Sequence, residues 1–93
     1  MDTKRNSIIT DDLETCYLCG RRATEIHHCL HGTANRKLAE KYDLVVGLCN
    51  DCHRQLHDKG RSDLFLEIAA QDAYEKKLGN RLSFIAIFGK SYL

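Results

Sequence analysis

The sequence predicts a small α+β domain in which one two-stranded hairpin is followed by helices. Three observations predict this fold class: strand-like alternation in residues 23–31, a valine-rich apolar run in residues 44–49, and polar helix caps with glycine stops from residue 50 onward. The 93 residues form a single domain with a thin core, because a chain of this length buries only about 60–70% of its unfolded surface. A disulfide or a metal ion is therefore expected to stabilise it.

The predicted hairpin pairs "ATEIHHCLH" with "LVVGLC". In the first strand, Glu25 and His27 fall on one face, and Ile26 and His28 fall on the other. The intervening residues 33–43 are charged with spaced apolar residues, which predicts an irregular connection containing a single helical turn. The two strands therefore form a hairpin with a long loop.

The segment "NDCHRQLHDKG" predicts the first full helix. Asn50 or Asp51 is expected to be the N-cap, and Gly60 is expected to end the helix after about two turns.

The C-terminal third predicts two more helices. One has Ser62 or Asp63 as its N-cap and ends before the break at Gly79-Asn80. The last residues could alternate as a strand, but Asn80 as a cap and Gly89 as a stop favour a short helix.

The chain is expected to divide into a loosely attached polar leader (residues 1–15), a core (residues 16–60) and a helical extension that packs on this core (residues 61–93). The longest apolar runs fall far short of the ~20 residues that a bilayer span needs, so no membrane segment is expected. The net charge of +1 gives no indication of a nucleic-acid partner, because 14 basic residues are mixed with 13 acidic ones.

Four of the five cysteines form two CxxC pairs, Cys16 with Cys19 and Cys49 with Cys52. An odd number of cysteines without a secretory signal indicates a reducing compartment, so a cytoplasmic location is expected. Two such pairs predict a zinc ion held by four thiolates, with two redox pairs or chance spacing as the alternatives. A zinc ion with four thiolate ligands has no open position, so its role is structural.

The fifth cysteine, Cys29, is expected to be a small buried hydrophobic residue, with a role as a spare ligand as the alternative. A C2H2 zinc finger built from Cys16, Cys19, His27 and His31 competes with the four-cysteine site. Its spacing fits poorly, because seven residues separate the second Cys from the first His where about twelve are usual.

The histidines suggest a second, catalytic site. His53 and His57 are four residues apart on one predicted helical face, and together with His27 they can supply three imidazoles to one ion with open positions. His28 points to the opposite strand face and stays free to move a proton. The alternative is that these histidines are ordinary surface or capping residues.

Residues 16–57 resemble the HNH endonucleases of the ββα-metal (His-Me finger) class, and the likeness lies in "CYLCG…EIHH…GLCNDCHRQLH". The run "HHCLHGTANRKLAEKYDLVVGLCNDCH" and the ending "FGKSYL" also resemble small phage and prophage HNH proteins. The resemblance implies a zinc-stabilised ββα-metal core. It also implies that His28 is the general base, and that His27, His53 and His57 bind one catalytic divalent ion, which is Mg²⁺, Mn²⁺, Ni²⁺ or Zn²⁺.

The middle Asn of the family motif has no clear counterpart, because the corresponding place reads "YDLVV". Asn35 is the first choice for this role, which is to orient the general base, and Asp43 is the second. Asn50 is better explained as a helix cap.

The resemblance also implies double-stranded DNA as the substrate, cut to leave 5′-phosphate and 3′-hydroxyl ends. Arg36, Lys37 and Arg54 are candidates for phosphate contacts, and solvated surface charge is the alternative for each. The sequence leaves open an oligomer, a zinc-ribbon-like module that binds nucleic acid or protein, and an accessory domain of a phage packaging or recombination complex.

Overall fold

The computed structural model describes residues 6–30, 33–60 and 63–93. It confirms a small α+β fold that consists of one antiparallel hairpin and four helices. In chain order the elements are β1 (Glu25–His28), α1 (Thr33–Lys41), β2 (Val45–Leu48), α2 (Asn50–Lys59), α3 (Asp63–Lys77) and α4 (Arg81–Phe88).

The hairpin pairs the two predicted strands in a fixed register, with Glu25 opposite Leu48 and His28 opposite Val45. Every residue of β2 is buried. In β1, Ile26 is exposed and His27 is buried, as alternation along a strand requires. The hairpin therefore directs His27 toward the interior beside α2.

The segment between the strands differs from the prediction of a single helical turn, because α1 is a nine-residue helix. Leu38 packs on the core and Ala39 is fully buried, so tertiary packing stabilises a helix that its charged sequence only weakly indicates. The helix ends in a Schellman motif: the amide of Leu44 donates to the carbonyl of Ala39 (2.8 Å), and Asp43 adopts φ 59°.

The predicted helix after β2 is present as α2, but its N-cap is Cys49 rather than Asn50 or Asp51. The Sγ atom of Cys49 accepts the amide of Cys52 at 3.4 Å, so a sulfur takes the place usually filled by an oxygen. Gly60 ends the helix in a left-handed conformation, as predicted.

The two C-terminal helices are confirmed. Asp63 is the first residue of α3 rather than its cap, and the other predicted cap, Ser62, lies outside the described residues. A capping box between Asn80 and Ser83 begins α4, and Gly89 ends it, so this segment is helical rather than extended.

The described part of the leader, residues 6–15, is not loosely attached as predicted, because its backbone is held at several points. The Oγ of Ser7 donates to the carbonyl of Val45 (2.6 Å), and the amide of Ile8 donates to that of Asp43 (3.0 Å). Ile8 and Ile9 pack against the core cluster. Residues 1–5 lie outside the described residues.

The core lies between the hairpin and the helices, and the aromatic rings of Tyr74, Phe84 and Phe88 pack against one another in it. Gln71 is the fully buried polar residue of α3, and its side-chain oxygen accepts the amide of Tyr92 at 2.6 Å. Within the described ranges, every helix is too short or too polar to cross a membrane.

Candidate metal centre and histidine cluster

The four cysteines of the two CxxC pairs come together between the turn before β1 and the start of α2. Their sulfur atoms all lie within 4.8 Å of one another. The sulfurs of Cys19 and Cys49 are 3.6 Å apart, close to the ~3.8 Å edge of a tetrahedron with Zn–S bonds of about 2.3 Å. The cluster therefore fits a zinc ion, as the sequence predicted.

Backbone hydrogen bonds shape the first cysteine pair into a tight turn. The amide of Cys16 donates to the carbonyl of Arg21 (2.6 Å), and the amide of Gly20 donates to that of Cys16 (3.0 Å). Gly20 has φ 84°, which glycine adopts without strain. The amide of Tyr17 donates to the carbonyl of Gly47 (2.8 Å), which attaches the turn to β2.

The surroundings of the sulfur cluster favour the thiolate form of one cysteine, Cys16. Burial alone raises the pKa of Cys16, but backbone amides of Cys49, Cys19 and Leu18 outweigh it and lower this pKa to about 6. Burial and the neighbouring thiols raise the pKa of Cys52. Four sulfurs this close cannot all carry charge without a cation, and a bound zinc ion would supply it.

Cys29 is fully buried and lies outside the sulfur cluster. Its burial, together with the negative charge of Glu67, raises its pKa to about 12. The expectation of a small buried hydrophobic residue is confirmed. The competing zinc finger would combine Cys16 and Cys19 with two histidines. Cys16 and Cys19 instead cluster with Cys49 and Cys52, and His31 lies outside the described residues.

A second group of side chains lies where α2 meets β1. The Nε2 atoms of His53 and His57 are 3.2 Å apart, and their rings are nearly perpendicular at a centroid distance of 4.5 Å. The ring of His27 lies edge-on to that of His53 at 5.6 Å. On the far side of His53, its Nδ1 atom lies 2.7 Å from Oε1 of Glu25.

Two of these histidines have the separation that one ion requires, because imidazole ligands with Zn–N bonds of about 2.0–2.1 Å sit ~3.3 Å apart in a tetrahedron. His27, His53 and His57 do not form a group of ligand atoms as compact as the four cysteine sulfurs. In residues 6–30, 33–60 and 63–93, the cysteine cluster is the only set of three or more such side chains whose ligand atoms all lie within 4.8 Å of one another. The Nε2 atom of His27 is buried and makes no hydrogen bond within these described residues, although His27 has other interactions.

His28, the predicted general base, contacts a carboxylate of α1. Its Nε2 atom lies 2.7 Å from Oε1 of Glu40. Asn35 lies in the first turn of α1 and is half-buried. Asp43 occupies the left-handed position after α1, where a short polar side chain is tolerated, which gives it a structural role in the turn.

The three basic residues predicted to contact phosphate are exposed. Arg36 and Lys37 lie on α1, and Arg54 lies on α2 directly after His53. Another basic residue, Arg21, pairs with Asp51 at 3.1 Å beside the cysteine cluster.

Sequence reasoning missed Glu25 and Glu40 as partners of the histidines. The signal for Glu25 was available, because strand alternation places it on the same face as His27. Glu40 had no comparable signal, since its position depends on the full length of α1.

Comparison of the chain with protein-family models, curated proteins and solved structures finds no match.

Proposed function

We propose that this protein is a metal-dependent endonuclease of the HNH type that hydrolyses phosphodiester bonds in double-stranded DNA. The observation that carries the proposal is the arrangement of His53: its Nε2 lies 3.2 Å from Nε2 of His57, while its Nδ1 lies 2.7 Å from Glu25. Metal-binding histidines commonly have such a carboxylate behind the ligand ring, because it fixes the tautomer and makes the ligand nitrogen more basic.

The proposed ion is held by His53 and His57, with His27 as the third ligand. The buried ring of His27 lies edge-on to His53, with ring centroids 5.6 Å apart, which places a third imidazole next to the facing pair. When bound, a divalent ion with open positions polarises the phosphate and stabilises the leaving 3′-oxygen.

His28 is the proposed general base. It takes a proton from water, whose oxygen then forms the new bond to phosphorus as the bond to the 3′-oxygen breaks. Histidine suits this task because its side chain exchanges protons near neutral pH. A zinc ion held by four thiolates would have no open coordination position. The proposed role of the cysteine cluster is therefore to fix the position of β1 relative to α2.

The proposal is tested by plasmid nicking with zinc-loaded wild type and His28→Ala, in a series of Mg²⁺, Mn²⁺, Ni²⁺ and Zn²⁺. We expect the wild type to nick, and the variant to lose about 10²–10⁴-fold in rate, which is the usual contribution of a positioned base. Zinc content and circular dichroism should be unchanged. Ala86→Ser, at an exposed position of α4, is the control and should keep full activity.

Metal stoichiometry separates this function from a zinc-ribbon-like binding module. A nuclease should hold one tight zinc ion and one exchangeable ion that His57→Ala removes. A wild type that binds a single zinc and cuts no plasmid with any of the four ions would contradict the proposal, as would full activity of the His28→Ala variant.

A further inference from the structure

We propose that Glu40 is a positioning residue for His28, and that it keeps the proton of the neutral imidazole on Nε2 so that Nδ1 is the basic nitrogen. This inference rests on the proposed function, because it assigns the orienting partner and the reactive atom of the proposed base. It also gives Glu40 the orienting role for which the sequence offered Asn35 or Asp43.

The contact that carries the inference is short and partly shielded. Nε2 of His28 lies 2.7 Å from Oε1 of Glu40. The side chain of His28 is only 17% exposed, whereas that of Glu40 is 51% exposed. The imidazole is thus mostly buried, whereas the carboxylate is half exposed.

A carboxylate fixes the imidazole tautomer because it can only accept hydrogen bonds. A neutral imidazole has one N–H group, and the energetically favourable arrangement places it on the nitrogen that faces the carboxylate. Nδ1 of His28 then carries the lone pair, and the carboxylate places a negative charge beside the ring. An asparagine side chain would lack this charge and could also donate to the ring.

The backbone holds both residues in place. The amide of Cys29, next to His28, donates to the carbonyl of Leu44 at 3.1 Å. The amide of Leu44 in turn donates to the carbonyl of Ala39, next to Glu40, at 2.8 Å. Since Leu44 and Ala39 are fully buried, the distance between β1 and the last turn of α1 is fixed by the core rather than by the exposed carboxylate.

The test combines ¹⁵N spectra of the His28 ring with steady-state nicking kinetics for wild type, Glu40→Gln, Glu40→Ala and Glu40→Asp, all zinc-loaded. Spectra are recorded at about pH 8–9, where imidazole is neutral. We expect a single tautomer protonated at Nε2 in the wild type and a mixture in the Gln and Ala variants. The Asp variant, which keeps a carboxylate, should restore part of the wild-type signature.

In the kinetics, we expect Glu40→Gln and Glu40→Ala to lower kcat about 10- to 100-fold, a part of the roughly 10²–10⁴-fold that a positioned base supplies. KM should change less than about twofold, because Glu40 does not bind the substrate in this scheme. Glu14→Gln, which neutralises another exposed carboxylate, is the matched control and should behave as wild type.

The two proposals fail in different ways. If the wild type cuts DNA, and the Glu40 variants keep both the single tautomer and the wild-type kcat, Glu40 has no positioning role while the nuclease function stands. If the wild type cuts no DNA with any divalent ion, the proposed function fails, and the catalytic role of Glu40 fails with it.

Discussion

Glu25 and His53 meet across the junction of β1 and α2, with Oε1 of the glutamate 2.7 Å from Nδ1 of the histidine. Both side chains are partly shielded, with 38% and 23% exposure respectively. The contact leaves Nε2 of His53 directed at His57, 3.2 Å away. This contact fixes the orientation of His53, a proposed ligand.

Glu25→Gln should weaken binding of the proposed exchangeable divalent ion about 10- to 100-fold, the usual effect of removing a carboxylate behind a histidine ligand. The reason is that an amide neither carries the negative charge nor holds the ring in one tautomer as strongly. Isothermal titration of the zinc-loaded protein with Ni²⁺ measures the change. Glu14→Gln serves as the control, and an unchanged affinity in Glu25→Gln would show that this carboxylate does not support an ion.

Cys49→Ser should lose the zinc ion and leave the protein largely unfolded at 25 °C. Serine can still cap α2 through its oxygen, so the loss is due to the missing thiolate rather than to the missing cap. Released zinc and far-UV circular dichroism measure the effect. Cys29→Ala, which changes a buried cysteine outside the cluster, should keep one zinc per chain. A folded, zinc-bound Cys49→Ser protein would rule out the four-thiolate site.

Cys29 should resist alkylation in the folded protein. Its pKa is raised to about 12, so the thiol stays protonated and unreactive at pH 8, and burial also blocks the reagent. Mass spectrometry after iodoacetamide treatment should find Cys29 unmodified in the zinc-loaded protein and modified after unfolding in chelator and denaturant. Rapid labelling of Cys29 at pH 8 without unfolding would contradict this burial.

The raised pKa of Cys29 also sets a direction for stability. Folding favours its protonated form, so its contribution is fully present below the ordinary thiol pKa of 9.0 and is lost as pH rises toward about 12. The alkaline loss of stability between these values should therefore be smaller in Cys29→Ala than in the wild type, as measured by urea unfolding.

The double variant Arg36→Ala, Lys37→Ala should bind duplex DNA more weakly than the wild type. If both exposed side chains contact phosphate, the slope of log affinity against log salt should become shallower by about 1–2, because each neutralised phosphate contributes about 0.9. Fluorescence anisotropy with a labelled duplex across salt concentrations measures it. Lys90→Ala, which removes an exposed charge from the C-terminal segment, is the control. An equal change in the salt slope in Lys90→Ala would show that Arg36 and Lys37 contribute no more than any other surface charge.

Much of the fold was predictable because its determinants are local. Alternation predicted β1, the apolar run predicted β2, and Gly60, Asn80 and Gly89 marked the helix ends. The prediction failed for α1, whose helical length depends on burial of Leu38 and Ala39 against distant residues.

The attachment of the leader was missed for the same reason. The short contact of Ser7 with Val45 joins residues that are 38 positions apart, and nothing in the leader's own composition indicates it.

The sequence by itself determined which side chains are available for chemistry, and the spacing of Cys16, Cys19, Cys49 and Cys52 was sufficient to predict one shared site. Each pair converges locally, because Cys16 and Cys19 lie in one tight turn and Cys49 and Cys52 lie in the first turn of α2. Only the tertiary structure decided which carboxylate meets which imidazole. Those pairs join different elements, and the relative position of two packed elements is set by the buried residues of the whole core rather than by any local pattern.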